Sequence, residues 1–90
     1  MAIIKFTSNL KRFYPDLSTL KADCATISEA IDVIEMHHKG LKDYIVDEKG
    51  HLRKHVNIFI GKKLIQDREA LKDSIETGDE VYIMQAISGG

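Results

Sequence analysis

The spacing of apolar residues switches twice along this chain, from strand-like alternation to a helical period and back again. Residues Ala2 to Thr7 are short, β-branched and aromatic, with Ile4 and Phe6 on one face of a strand. A polar stretch follows, with Lys11, Arg12 and the turn signal Tyr14-Pro15-Asp16. Leu20, Ala22 and Cys24 then alternate with Lys21 and Asp23, which predicts a second, half-buried strand and an antiparallel hairpin. From Ile27 the period lengthens. Ile27, Ala30, Ile31 and Ile34 fall on one helical face, with Asp32 and Glu35 turned away. Alternation returns after Leu52, with Val56, Ile58 and Ile60 on one side and Asn57 and Phe59 on the other. The last strand is expected over Glu80 to Ile87, with Val81 and Ile83 facing the core. The order is β-β-α-β-β-β without an internal repeat, an α+β pattern. Its economical packing is a mixed sheet of four to five strands crossed by one main helix.

Punctuation supports these boundaries. Thr26-Ile27-Ser28-Glu29 has capping-box spacing, and Lys39-Gly40 is a helix stop. Leu41, Tyr44, Ile45 and Val46 predict a further short helical turn ahead of the loop Asp47-Glu48-Lys49-Gly50. Gly61-Lys62 marks a tight hairpin, and Thr77-Gly78-Asp79 a turn. The polar segment Asp67 to Ile75 is assigned a short helix around Ala70-Leu71.

Composition excludes several function classes. Ninety residues make one domain, and 13 Lys and Arg against 14 Asp and Glu leave a formal charge of −1. A general nucleic-acid or membrane-surface binder would be expected to carry a basic excess, so neither partner is expected. No run approaches the ~18 apolar residues of a membrane span. Lys5 interrupts the apolar start at once, unlike a signal peptide, so a cytoplasmic location is expected. The single cysteine, Cys24, excludes an intramolecular disulfide.

Catalytic signatures are missing too. His51 and His55 would stand roughly 13 Å apart on an extended strand, too far to share an ion. His37 and His38 are adjacent at a helix end, with no Cys-x-x-Cys to join them, and no metal site is expected. Cys24 reads as a small apolar residue in a strand and not as a nucleophile. No P-loop or dinucleotide glycine pattern occurs, so the chain is not expected to be an enzyme and has no intrinsic catalytic residue.

Three features remain. Lys49, Arg53, Lys54, Lys62 and Lys63 fall in a stretch with no acid, whereas Asp67 to Glu80 is mostly acidic. A lysine-protected sheet edge accounts for this, and complementary docking to a partner is the alternative. Phe59, Tyr82 and Met84 have the parity of the uncovered sheet face and predict a protein-docking patch, to which Ile87 is added. Finally, the sequence closes on Ser88-Gly89-Gly90 directly after a predicted strand. A Gly-Gly end arises by chance roughly once in two hundred chains, given a glycine frequency of about 7%. A side-chain-free tail can thread a narrow channel and present its terminal carboxylate inside another protein.

Taken with Leu52-Arg53-Lys54-His55-Val56-Asn57-Ile58-Phe59-Ile60 and Gly78-Asp79-Glu80-Val81, the tail Ala86-Ile87-Ser88-Gly89-Gly90 resembles the ubiquitin-like β-grasp sulfur carriers of the ThiS/MoaD type. Gln85-Ala86 stands where the molybdopterin-synthase subunit usually has prolines. The segment from Gly40 to Leu52 and the Leu-Arg-x-x-Val-Asn run are closer to the carriers of cysteine and thio-metabolite pathways, and the tail is similar to the thiazole carrier as well. The resemblance implies a β-grasp domain over residues 1–86 and a flexible tail over 87–90. It also implies the chemistry: an E1-like adenylyltransferase binds the sheet face, and the Gly90 carboxylate attacks the α-phosphate of ATP. A persulfide or sulfide donor then displaces AMP, and the Gly90 thiocarboxylate passes its sulfur to a biosynthetic acceptor enzyme. Ser88 and Gly89 are the threading residues, and ATP is used by the partner while the carrier, a monomer when free, binds no cofactor. Three alternatives stay open: the small subunit of molybdopterin synthase, a protein modifier conjugated through Gly90, and a structural ubiquitin-like interaction domain.

Overall fold

The computed structural model describes residues 1–7 and 18–85. The predicted Tyr14-Pro15-Asp16 turn, residues Ala86 to Gly90 and the boundary drawn between residues 86 and 87 lie outside the described residues. The elements are β1 (Ala2–Phe6), β2 (Leu20–Ala22), α1 (Ile27–His37), α2 (Leu41–Ile45), β3 (Val56–Ile60), β4 (Lys63–Leu64) and β5 (Glu80–Gln85).

The strands form one five-stranded sheet in the order β2-β1-β5-β3-β4. β1 and β5 are parallel, and every other pairing is antiparallel. Alternation decides which face is covered. Ala2, Ile4 and Phe6 of β1, Val56 and Ile58 of β3 and Val81 and Ile83 of β5 are buried on one side. Against them lie Ile27, Ala30, Ile31 and Ile34, the apolar face of α1, and Leu41 and Ile45 of α2. Ile4, Ile27, Ile34, Ile58 and Ile83 are each 0% exposed, so the core rests on branched aliphatic side chains in close contact.

Helix α1 starts where the sequence places it. The Thr26 hydroxyl accepts the Glu29 N–H at 3.3 Å. The reciprocal bond is shifted by one residue: the Glu29 carboxylate accepts from Ala25 N–H at 3.0 Å and not from Thr26. Glu35 does more than face solvent. Its carboxylate accepts the N–H groups of Gly40 (3.0 and 3.1 Å) and Lys42 (3.0 Å), closing the corner between α1 and α2. Gly40 takes φ +93° there, a conformation that favours glycine.

Three expectations need correction. The helix around Ala70-Leu71 does not form. The Asp67 carboxylate instead accepts from Glu69, Ala70 and Lys72 N–H at 3.1, 2.9 and 3.2 Å, and these local bonds compete with a helical ladder. Leu71, at φ +58°, then turns its side chain into the core, where it is 4% exposed. The second strand ends at Ala22, so Cys24 lies beyond it, partly buried against the core. Burial, followed by the nearby Glu29 and Asp23 charges, pushes its thiol pKa up, which disfavours the reactive thiolate. Finally, β3 begins only at Val56. Leu52 bridges to Val46, and the Arg68 guanidinium donates to the carbonyls of Arg53 (2.7 Å) and Val56 (2.9 Å).

Candidate functional site

The face of the sheet turned away from the helices is built by the same alternation that fills the core. Lys5 of β1 and Phe59 of β3 flank Tyr82 of β5, one on each side, as register partners. Leu64 of the edge strand β4 is the partner of Phe59. A row Leu64–Phe59–Tyr82–Lys5 therefore crosses four strands. Met84 and Asn57 form the next step toward the end of β5, and Met84 is 40% exposed. The predicted docking residues Phe59, Tyr82 and Met84 are thus neighbours on one face, opposite Val56, Ile58, Val81 and Ile83. Ile87 lies outside the described residues.

Tyr82 is held in place. Its hydroxyl donates to Glu80 Oε1 at 3.0 Å, and Lys5 Nζ reaches Glu80 Oε2 at 3.2 Å and the Tyr82 hydroxyl at 3.5 Å. The same ammonium lies 5.4 Å from the centre of the Tyr82 ring, within cation–π range. Glu80 and its hydrogen bonds raise the Lys5 pKa above the ordinary lysine value. Lys5, and then Tyr82, hold the Glu80 carboxyl below its ordinary range. All three polar groups remain partly solvated, so this contact orients the ring more than it stabilises the fold. An apolar strip with a fixed aromatic ring and a charged margin is suited to protein docking.

Lys5, Glu80 and Leu64 were not among the sequence candidates. Glu80 reads as a turn acid in the sequence, and Lys5 as a break in an apolar run. Only the parallel pairing of β1 with β5, which no local pattern encodes, brings them together.

The second part of the candidate site is the root of the tail. β5 is the middle strand of the sheet, and its last described residue, Gln85, pairs with Val56 at the start of β3. Gly90, Gly89 and Ser88 follow beyond Ala86 and lie outside the described residues. Gln85, the last described residue, therefore lies beside the segment Arg53-Lys54-His55. Elsewhere, no group of three or more His, Cys, Asp or Glu arranged to hold a metal occurs among the described residues. No helix among them is long and apolar enough to cross a membrane.

Comparison with known proteins adds independent findings. The ThiS family model matches residues 4–90, a span that includes Gly89 and Gly90. Sulfur carrier protein CysO of Mycobacterium tuberculosis is 27% identical over 74 residues, which cover 80% of each chain. Among solved structures, a chain of the Amycolatopsis orientalis BexX/CysO complex superposes with a TM-score of 0.84 at 24% identity, covering 100% of both chains. SAMP1 from Haloferax volcanii superposes with a TM-score of 0.77 at 23% identity, covering 99% of this chain and 98% of that one. The expected ubiquitin-like β-grasp fold is borne out by these superpositions. The curated relatives are named as sulfur carrier proteins, in agreement with the reading of this chain as a carrier.

Proposed function

The chain belongs to the ThiS family, and from that premise we propose that it is a sulfur carrier whose working atom is on the C-terminal carboxylate of Gly90. The observation that carries this reading is the family match running through the Gly-Gly end, in a domain whose open sheet face presents Phe59, Tyr82 and Met84.

In the proposed cycle the carrier docks by that face on an adenylyltransferase, with Ser88 and Gly89 lying in a narrow channel. A Gly90 carboxylate oxygen attacks the α-phosphorus of ATP, the bond to the leaving phosphate breaks, and pyrophosphate departs. The product is an acyl-adenylate. Hydrosulfide then adds to the activated carbonyl carbon, the carbon–oxygen bond to AMP breaks, and AMP leaves with its electron pair. The thiocarboxylate so formed is a good nucleophile at neutral pH, and a second enzyme takes its sulfur into a biosynthetic product. ATP belongs to the partner's site. The carrier supplies an address, a thin tail and one carboxylate, and acts as a cytoplasmic monomer between encounters. The likeness to CysO favours a cysteine or related thio-metabolite route.

One experiment decides among the carrier, modifier and structural readings. The protein is incubated with ATP, the adenylyltransferase of the same genome and sulfide, and its intact mass is recorded. Replacement of one oxygen by sulfur supports the carrier. ATP-dependent ladders of conjugates in lysate would make it a modifier joined to lysines through Gly90. With neither change, the structural reading would stand.

A further inference from the structure

A cleft adjoins Gln85, the last described residue of β5. Asp43 and Tyr44 of α2, Arg53 and His55 of the following connection, and Gln85 at the end of β5 line a cleft of about 340 Å³. A second cleft, of about 480 Å³, shares Arg53 and His55 and adds Lys54 and Arg68, with Asp47 and Glu69 on its acidic side. Arg53 and His55 therefore form the wall between the two.

Neither Arg53 nor Lys54 enters an ion pair with a carboxylate among the described residues. Among the described residues the ion pairs join the N-terminus to Asp23, Lys5 to Glu80 and Lys42 to Asp32. None involves the acid-free run from Lys49 to Lys63. Asp47, which lines the second cleft, accepts through its Oδ1 the N–H groups of His51 (3.0 Å) and Lys49 (2.9 Å), and these bonds, followed by the nearby Arg53 charge, hold its carboxyl below the ordinary range. Arg68 is occupied through Asn57 and two backbone carbonyls. Arg53 differs. Its Nε donates to the Asp43 carbonyl at 2.8 Å, which fixes the guanidinium plane and leaves both terminal nitrogens without a hydrogen-bond partner among the described residues. Lys54 and His55 beside it are exposed.

We propose that Arg53, Lys54 and His55 form a docking loop for an acidic segment of the adenylating enzyme, which orients the chain as its tail enters the active site. The proposal rests on the carrier reading. Register supplies the position: Val56 pairs with Gln85, so this loop is the part of the domain next to the tail root. Charge supplies the partner. With a formal charge of −1 the protein has no excess of cations to cover a nucleic acid, whereas the adjacent cations Arg53 and Lys54, with the His55 imidazole as a further hydrogen-bonding group, match a short acidic stretch.

The test compares two double variants in the activation assay with ATP, sulfide and the adenylyltransferase. Lys54→Glu/His55→Glu alters the docking loop. Lys62→Glu/Lys63→Glu makes a larger charge change beyond the other end of β3, about 14 Å away at the usual strand rise. Thermal melts check that both remain folded. The expected result is a rise of about 10-fold or more in KM for the loop variant, with little change for the distal one. Wild-type KM should climb with salt, and that dependence should flatten in the loop variant. Equal effects of the two variants, or an unaltered KM with the loop variant, would overturn the docking loop and leave the carrier intact. ATP alone shifting the amide resonances of Lys54 and His55 would also overturn it, in favour of a nucleotide site. A wild-type chain that is never activated removes the carrier reading and the docking loop with it.

Discussion

Phe59 and Tyr82 stand directly opposite each other on β3 and β5, on the sheet face the helices leave uncovered. Neither belongs to the buried core, and Tyr82 is held in place by Glu80 and Lys5. An interface gains most from aromatic anchors whose rotamers are set before binding. Phe59→Ala and Tyr82→Ala are each expected to weaken binding to the adenylyltransferase by roughly 10-fold, about 1.4 kcal/mol, measured by calorimetry. Melting temperatures should move far less than for a core truncation. Unchanged affinity in both variants would place the docking surface elsewhere.

The Gly-Gly end gives a sharper separation of folding from function. Gly89→Val adds a branched side chain at the proposed channel, so ATP-dependent sulfur loading should be abolished. The thermal melt should match that of the parent protein. Loading of the valine variant at the parental rate would contradict the threading argument.

The core gives the opposite outcome. Ile58 is 0% exposed at the middle of β3, where it contributes to the layer between sheet and helix. Ile58→Ala is expected to lower unfolding free energy by about 2–5 kcal/mol, from lost burial plus a residual cavity. Chemical denaturation with an unchanged slope would measure it.

Acid should loosen the corner between the helices. The N–H groups of Gly40, and then Lys42, hold the Glu35 carboxyl below its ordinary value of 4.5. A carboxyl depressed by folding stabilises the native state at pH above its unfolded pKa, and that contribution is lost as pH falls through the folded value. Glu35→Gln should therefore melt lower than wild type at neutral pH. The gap should narrow as pH falls below the ordinary carboxyl value and through the depressed folded one, where wild-type Glu35 takes up its proton. A gap that stays constant down to strong acid would mean that the charge of Glu35 plays no part.

Much of this architecture was legible in the residue pattern because it is written locally. Ile4 and Phe6, Val56 and Ile58, and Val81 and Ile83 each announce a covered face by simple alternation, and Thr26 with Glu29 announces a helix start. The uncovered face followed by parity, since Phe59, Tyr82 and Met84 had only one other side to occupy. What escaped was long-range or competitive. The Lys5–Glu80–Tyr82 cluster requires the parallel pairing of the first and last strands. The segment after Asp67 has helix-compatible residues, but one carboxylate captures three amides and redirects the chain. The Arg68 contacts that fix the start of β3 join parts of the chain between which no pattern runs. The grouping of Arg53, Lys54 and His55 at the tail root likewise needs the Val56–Gln85 register, although their charges were visible as an acid-free run.

The central position of β5 has a mechanical consequence. Its hydrogen bonds run sideways to β1 on one flank and β3 on the other. A force applied at Gln85 along the strand loads both ladders together in shear and does not peel them open one bond at a time. In the proposed carrier cycle, a pull on that end would therefore be shared between both flanking strands.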